Sequence, residues 1–176
     1  MALLRLNRQH ATLLLGGLLC ISMIAATSEP GASQMRRASL CESNEKTVFS
    51  CVVGKSAKTV SLCSSIELTK DRGYLQYRFG LPGKLELEFP KQREQTQSLF
   101  KYSHYFRAQV DQTEISFTTD GYRYAVFDDY NSEEKPAQHE RGIRITPPNG
   151  KEMTLNCLGR ATAHYEDLPE AFPDPE

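Results

Sequence analysis

"TVFSCVVGKSAKTVSLCSS", residues Thr47 to Ser65, decides the fold. Two runs rich in β-branched and apolar residues flank a short polar segment whose Gly54 suits a turn, so the stretch reads as an antiparallel hairpin. Counting outward from a turn at Gly54 to Ala57, Val53 faces Lys58, Cys51 faces Val60 and Cys63 faces Val48. Phe49, Cys51 and Val53 form one face of the first strand, and Val60 and Leu62 share it in the second. Cys51 therefore points to the apolar side and Cys63 to the other. Sulfurs on opposite faces of one hairpin cannot meet without a register slip, so each needs a partner elsewhere.

The sequence contains five cysteines. Cys20 sits in an apolar run, "ATLLLGGLLCISMIA" (Ala11 to Ala25), which follows Arg5 and Arg8 and exits through Ala25 and Ala26. A basic flank, an apolar run too short to span a bilayer comfortably and a small-residue exit describe a cleavable signal peptide over 1–26. Leu19 is too large for a lipoprotein processing site before Cys20, so this cysteine leaves with the leader and no membrane span is expected in the mature chain. An exported, periplasmic or secreted protein with four remaining cysteines favours two disulfides. Zinc would want tight pairs such as C-x-x-C, which are absent; no metal and no cofactor are expected.

Near the C-terminus, Met153, Leu155 and Cys157 share an apolar face. Of the three connectivities open to four cysteines, parity favours Cys51 with Cys157 and Cys41 with Cys63. A bridge from an early strand to the last one constrains the unfolded chain by roughly 4–5 kcal/mol in the chain-entropy picture.

The rest of the chain alternates in the same way. Leu75, Tyr77 and Phe79 share a face in "YLQYRFG", as do Leu85, Leu87 and Phe89 in "KLELEF". Setting Phe79 opposite Leu85 demands a five-residue connection or a bulge around "LPG". "LFKYSHYFRAQV" (Leu99 to Val110) fits a strand or a short helix. "TEISFTTDGYRYAVFDDY" (Thr113 to Tyr130) is a hairpin turning at Asp120-Gly121, and "GIRITPPNGKEMTLNCLG" (Gly142 to Gly159) is another. About eight short strands predict an all-β domain over 41–160, a small antiparallel barrel or sandwich. The flanks read as a flexible leader (27–40) and a disordered acidic tail (161–176).

Removing Arg5 and Arg8 leaves 19 basic against 22 acidic residues, a net charge of −3, so no nucleic acid and no anionic membrane is expected as partner. No G-x-S-x-G elbow, H-E-x-x-H pair, P-loop or G-x-G-x-x-G occurs. His104 reads as a structural residue beside Tyr102 and Tyr105. His139 reads as a solvated loop residue, and His164 falls in the tail. Asp128 and Asp129, adjacent on a strand, face opposite ways. No catalytic residue is therefore assigned. Tyr122, Arg123, Tyr124, Tyr130 and Arg141 are residue types that dominate recognition surfaces.

"TVFSCVVGKSAKTVSLC", "YLQYRFG", "LELEFP" and "DGYRYAVFDDY" together resemble a group of uncharacterised exported proteobacterial proteins over roughly Cys41 to Leu158. "FSC" (Phe49 to Cys51), "LNC" (Leu155 to Cys157) and the hairpin tip "TTDGYRY" (Thr118 to Tyr124) are similar to the c-type lysozyme inhibitors, small envelope β-barrels that insert an S-x-x-G-x-x-Y loop into the lysozyme cleft. That resemblance implies Thr118 as hydroxyl contact, Gly121 at the tight turn, Tyr124 as its brace and Arg141 as a charge-assisted contact to the cleft carboxylates. The expected function is an exported, non-catalytic protein-binding domain with a protein partner, a c-type lysozyme by this likeness. The alternatives are an envelope structural or interaction protein and an unrecognised hydrolase.

Overall fold

The computed structural model describes residues 39–55 and 57–172; the expected signal peptide and nearly all of the leader lie outside them. Ten strands follow in chain order among the described residues: β1 (Lys46–Val53), β2 (Lys58–Ser64), β3 (Leu75–Leu81), β4 (Lys84–Phe89), β5 (Lys101–Arg107), β6 (Val110–Thr119), β7 (Tyr122–Asn131), β8 (Gln138–Thr146), β9 (Met153–Asn156) and β10 (Thr162–Ala163). They form two antiparallel five-stranded sheets, ordered β10-β1-β2-β3-β4 and β5-β6-β7-β8-β9. Neither sheet closes on itself, which makes the architecture a sandwich and not a barrel.

The first hairpin keeps the expected register from Val53↔Lys58 through Cys51↔Val60 to Phe49↔Leu62. A bulge at Val48 then sets Cys63 opposite Thr47 instead of Val48. Cys63 still faces away from the core, because the slip lies on β1 and leaves alternation along β2 intact. Both disulfides form as parity required: Cys41–Cys63 with Cα atoms 5.3 Å apart, and Cys51–Cys157 with Cα atoms 5.6 Å apart. The second joins the two sheets at one corner, where Val53 bridges Cys157 and the Leu158 amide donates to the Val52 carbonyl at 2.7 Å.

Phe49, Val53, Leu62 and Tyr77 of the first sheet meet Ile115, Phe117, Val126 and Ile143 of the second in one core. With no Trp in the chain, stacked Phe and Tyr fill the gap: Phe117 lies 4.4 Å from Phe89 and 5.2 Å from Tyr124 between ring centroids. The β3–β4 hairpin contains the expected bulge, but in a different place. Pro82 and Gly83 make a two-residue turn between Leu81 and Lys84, and the register shifts at Gly80 so that Phe79 opposes Leu87. Gly80 has φ +144°, and a Cβ there would lie 2.5 Å from the Lys84 carbonyl oxygen, so no larger residue fits the bulge. Leu85 is left 43% exposed instead of joining the apolar face. The ambiguous segment from Leu99 resolves into a 3-10 turn (Gln97–Leu99) followed by strand β5.

The acidic C-terminal segment is not disordered through Phe172. Thr162 and Ala163 pair with Ser50 and Phe49 on β1, and a short helix α1 (Leu168–Ala171) seats Leu168 and Ala171 in the core. The high proportion of acidic and proline residues conceals a set of apolar ones, Ala161, Ala163, Tyr165, Leu168, Ala171 and Phe172, all of which pack against the core. Burial of that set offsets the ordering cost that the average composition suggested it could not meet. Leu168→Ala is therefore expected to destabilise the fold by about 3 kcal/mol, read as a lower urea midpoint at unchanged m-value. A change within error would mean that the segment is not part of the cooperative unit.

Candidate functional site

The β6–β7 turn fixes the geometry of everything below it. Asp120 and Gly121 have φ +50° and +77°, the pair of positive angles a two-residue hairpin of matching twist requires. From this turn the ladder runs without a slip from Thr119↔Tyr122 to Val110↔Asn131, and β8 continues it from Arg123↔Thr146 to Asn131↔Gln138. Strict alternation then assigns each side chain to one face. Ile115, Phe117, Tyr124, Val126, Ile143 and Ile145 point inward against the first sheet or its edge. The same inward face continues to Asp111, Thr113, Asp128, Tyr130, His139 and Arg141, which the first sheet no longer covers.

This uncovered strip surrounds a cleft of about 310 Å³ with Ala163 and Tyr165 as its wall. Asp128 is its hub. His139 Nε2 lies 2.7 Å from Asp128 Oδ1, Arg141 Nε donates to the same oxygen at 2.9 Å, and the Tyr165 hydroxyl donates to Oδ2 at 3.3 Å. Burial pushes the Tyr165 phenol well above its ordinary range, and the adjacent Asp128 charge pushes it further, so the hydroxyl keeps its proton and remains a donor. Along β5, Tyr102, His104 and Phe106 form a stepped row with ring centroids 6.5 Å and 6.3 Å apart, and His104 Nε2 lies 2.9 Å from Asp111 Oδ1. Phe106 is 71% exposed. His104 is thus a half-exposed member of the strip and not a buried structural residue, and His139 stands on a strand and not in a loop.

The opposite face of the same sheet is a lattice of ion pairs. The Arg144 guanidinium lies 3.8 Å above the buried Phe127 ring and donates to Asp129 at 2.5 Å, and Arg123 donates to Glu114 at 2.5 Å. Asp128 and Asp129 face opposite ways, as alternation demanded.

The four residues taken from the inhibitor resemblance do not converge. Gly121 makes the tight turn, and Tyr124 is turned inward to stack on Phe117, a bracing position. Thr118 pairs with Arg123 on the outer face, whereas Arg141 pairs with Asp128 on the inner face. Five ladder steps separate them, ~17 Å along the strands, on opposite sides of the sheet. One cleft could not receive both together.

Among the described residues, Cys41, Glu45 and Cys63 are the group whose donor atoms cluster closely enough to suggest a metal. The two sulfurs are bonded to each other and Glu45 is held by Arg78, so no free thiolate is offered. No helix among these residues is long and apolar enough to cross a membrane. Compared with protein-family models, curated proteins and solved structures, the chain matches none of them.

Proposed function

We propose that this chain is an exported, disulfide-stapled β-sandwich that recognises another protein through the uncovered strip of its second sheet and carries out no reaction itself. One observation carries the reading: the inward face of β5 to β8 runs past the first sheet, leaving Phe106 and Tyr130 exposed beside a charged cleft. Solvated aromatic and Arg side chains on a rigid sheet are the groups from which binding hot spots are made. The polar groups there already satisfy one another around Asp128, which suits a preorganised contact surface better than a reacting centre, where a base or nucleophile would be held ready for substrate. Two disulfides are typical of oxidising, extracytoplasmic compartments, which supports export.

A photo-reactive amino acid placed at Phe106 or Tyr130 tests the reading in a Gram-negative host exporting the chain. The expected outcome is a discrete covalent adduct from both positions and none from Leu85, equally apolar and exposed on the first sheet. Adducts independent of position would remove the strip as the binding surface. Purified mature protein in a bacterial-wall lysis assay then asks whether a c-type lysozyme is the partner: slowed lysis, relieved by Tyr130→Ala, would name it.

A further inference from the structure

The two sheets have four edges, and three of them are blunted. β10 has two residues and β9 has four. β4 alternates Lys84, Glu86 and Glu88 with apolar residues, is bulged against Gly80 and runs into Pro90. Short length, charge, bulges and proline are the devices by which sheets discourage further pairing. β5 has none of them over its seven residues. Its register with β6 is unbroken from Lys101↔Ser116 to Arg107↔Val110, six of the seven residues are exposed, and it presents Tyr105 (52% exposed) and Phe106 on its two faces.

Ala108 and Gln109 form a two-residue turn between Arg107 and Val110, so that pair exchanges hydrogen bonds and alternate pairs after it do the same. The backbone amides and carbonyls of His104 and Phe106 therefore point away from β6, toward the open edge.

We propose that β5 is a strand-addition site, and that its occupant is an extended segment of a partner protein with apolar residues beside Phe106 and His104 and a carboxylate opposite Lys101. The inference deepens the recognition role above by naming how the partner engages. Charge decides against a second copy of this chain. Pairing two β5 strands about a two-fold axis at His104 sets Lys101 against Arg107 at both ends, like charge opposite like. Arg107 already donates to both carboxylate oxygens of Glu133, whereas Lys101 stands exposed at the other end of the strand. A shift by two residues avoids the clash only by giving up the end pairs. An antiparallel guest with its acidic residue at the Lys101 end satisfies charge and hydrogen bonding together.

The probe is the capped peptide Thr-Val-Thr-Val-Thr-Val-Glu, which places valines on the inward face and its glutamate opposite Lys101. Its counterpart replaces Glu by Lys. The expected results are saturable binding of the acidic peptide, at least tenfold weaker binding of the basic one, and slowed hydrogen exchange at the His104 and Phe106 amides. Lys101→Glu should reverse the preference. His104→Pro should abolish binding with unchanged thermal stability, because that amide makes no ladder bond. Binding of neither peptide, equal binding of both, or exchange protection elsewhere would overturn the proposal. So would concentration-dependent self-association that His104→Pro removes. Cross-links from Tyr130 that persist in His104→Pro would leave the recognition role standing and remove the edge from it.

Discussion

Replacing Cys51 and Cys157 together by alanine lowers the stability of the oxidised protein by roughly 4 kcal/mol, a shift in thermal midpoint of about 12–20 °C. The two residues are separated by 106 positions, so in the chain-entropy picture their link removes far more freedom from the unfolded state than the Cys41–Cys63 bridge, which spans 22. The native geometry points the same way. β9 has four residues, and the chain beyond it is tied to β1 through Cys157 and through the bond from Leu158 to Val52. Without the covalent link, that corner of the sandwich rests on few contacts. The corresponding change at Cys41 and Cys63 is expected to cost roughly 3 kcal/mol. Urea unfolding of both double variants under non-reducing conditions checks the order. A smaller loss at Cys51 and Cys157 than at the other pair would show that the loop argument does not govern this fold.

The pairing of these sulfurs was legible because it depends on parity, which is robust to local error. The expected register failed by one residue at Cys63, yet the bulge at Val48 lies on the other strand and leaves the outward direction of Cys63 unchanged. Parity also held through "YAVFDD", where Asp128 continues the face of Val126. Carried across the hairpin to Arg141 and Ile143, the same count would have put Arg141 beside Asp128 and not on a loop with Thr118. Two features had no local signature. The docking of Tyr165 and Leu168 is hidden by the acidic residues and prolines between them, and a short apolar set becomes visible only against the surface it covers. The ion pair between Glu45 and Arg78 joins residues 33 apart, and "CESNEK" reads as solvated charge until the Cys41–Cys63 bridge folds it over β3.

That ion pair is expected to give the largest loss from any single substitution. Arg78 is 1% exposed, and the Glu45 side chain is fully buried beside it. The guanidinium donates to both Glu45 oxygens, at 2.6 Å and 2.8 Å, and also to the Leu40 carbonyl and Gln76 Oε1. Glu45 accepts further bonds from the Tyr74 hydroxyl at 2.8 Å and the Glu42 amide at 2.6 Å. Arg78→Met keeps much of the volume but leaves a carboxylate buried without its cation, which costs about 3–5 kcal/mol. Arg78→Met with Glu45→Leu should recover most of that loss, because the desolvated charge is then gone from both sides. Burial alone would raise the Glu45 pKa, but the bonds from Arg78, Glu42 and Tyr74 outweigh it and hold the carboxyl below its ordinary value of 4.5. A depressed folded-state pKa means stability that is fully present above 4.5 and is lost as pH falls through the lower, folded value. Unfolding followed from neutral pH into acid should therefore show a loss in the native protein that is reduced in the double variant, where Glu45 is absent. An equal acid loss in both proteins would assign the pH dependence to other carboxylates, and a single variant Arg78→Met as stable as the native chain would show that Glu45 escapes burial when its partner is removed.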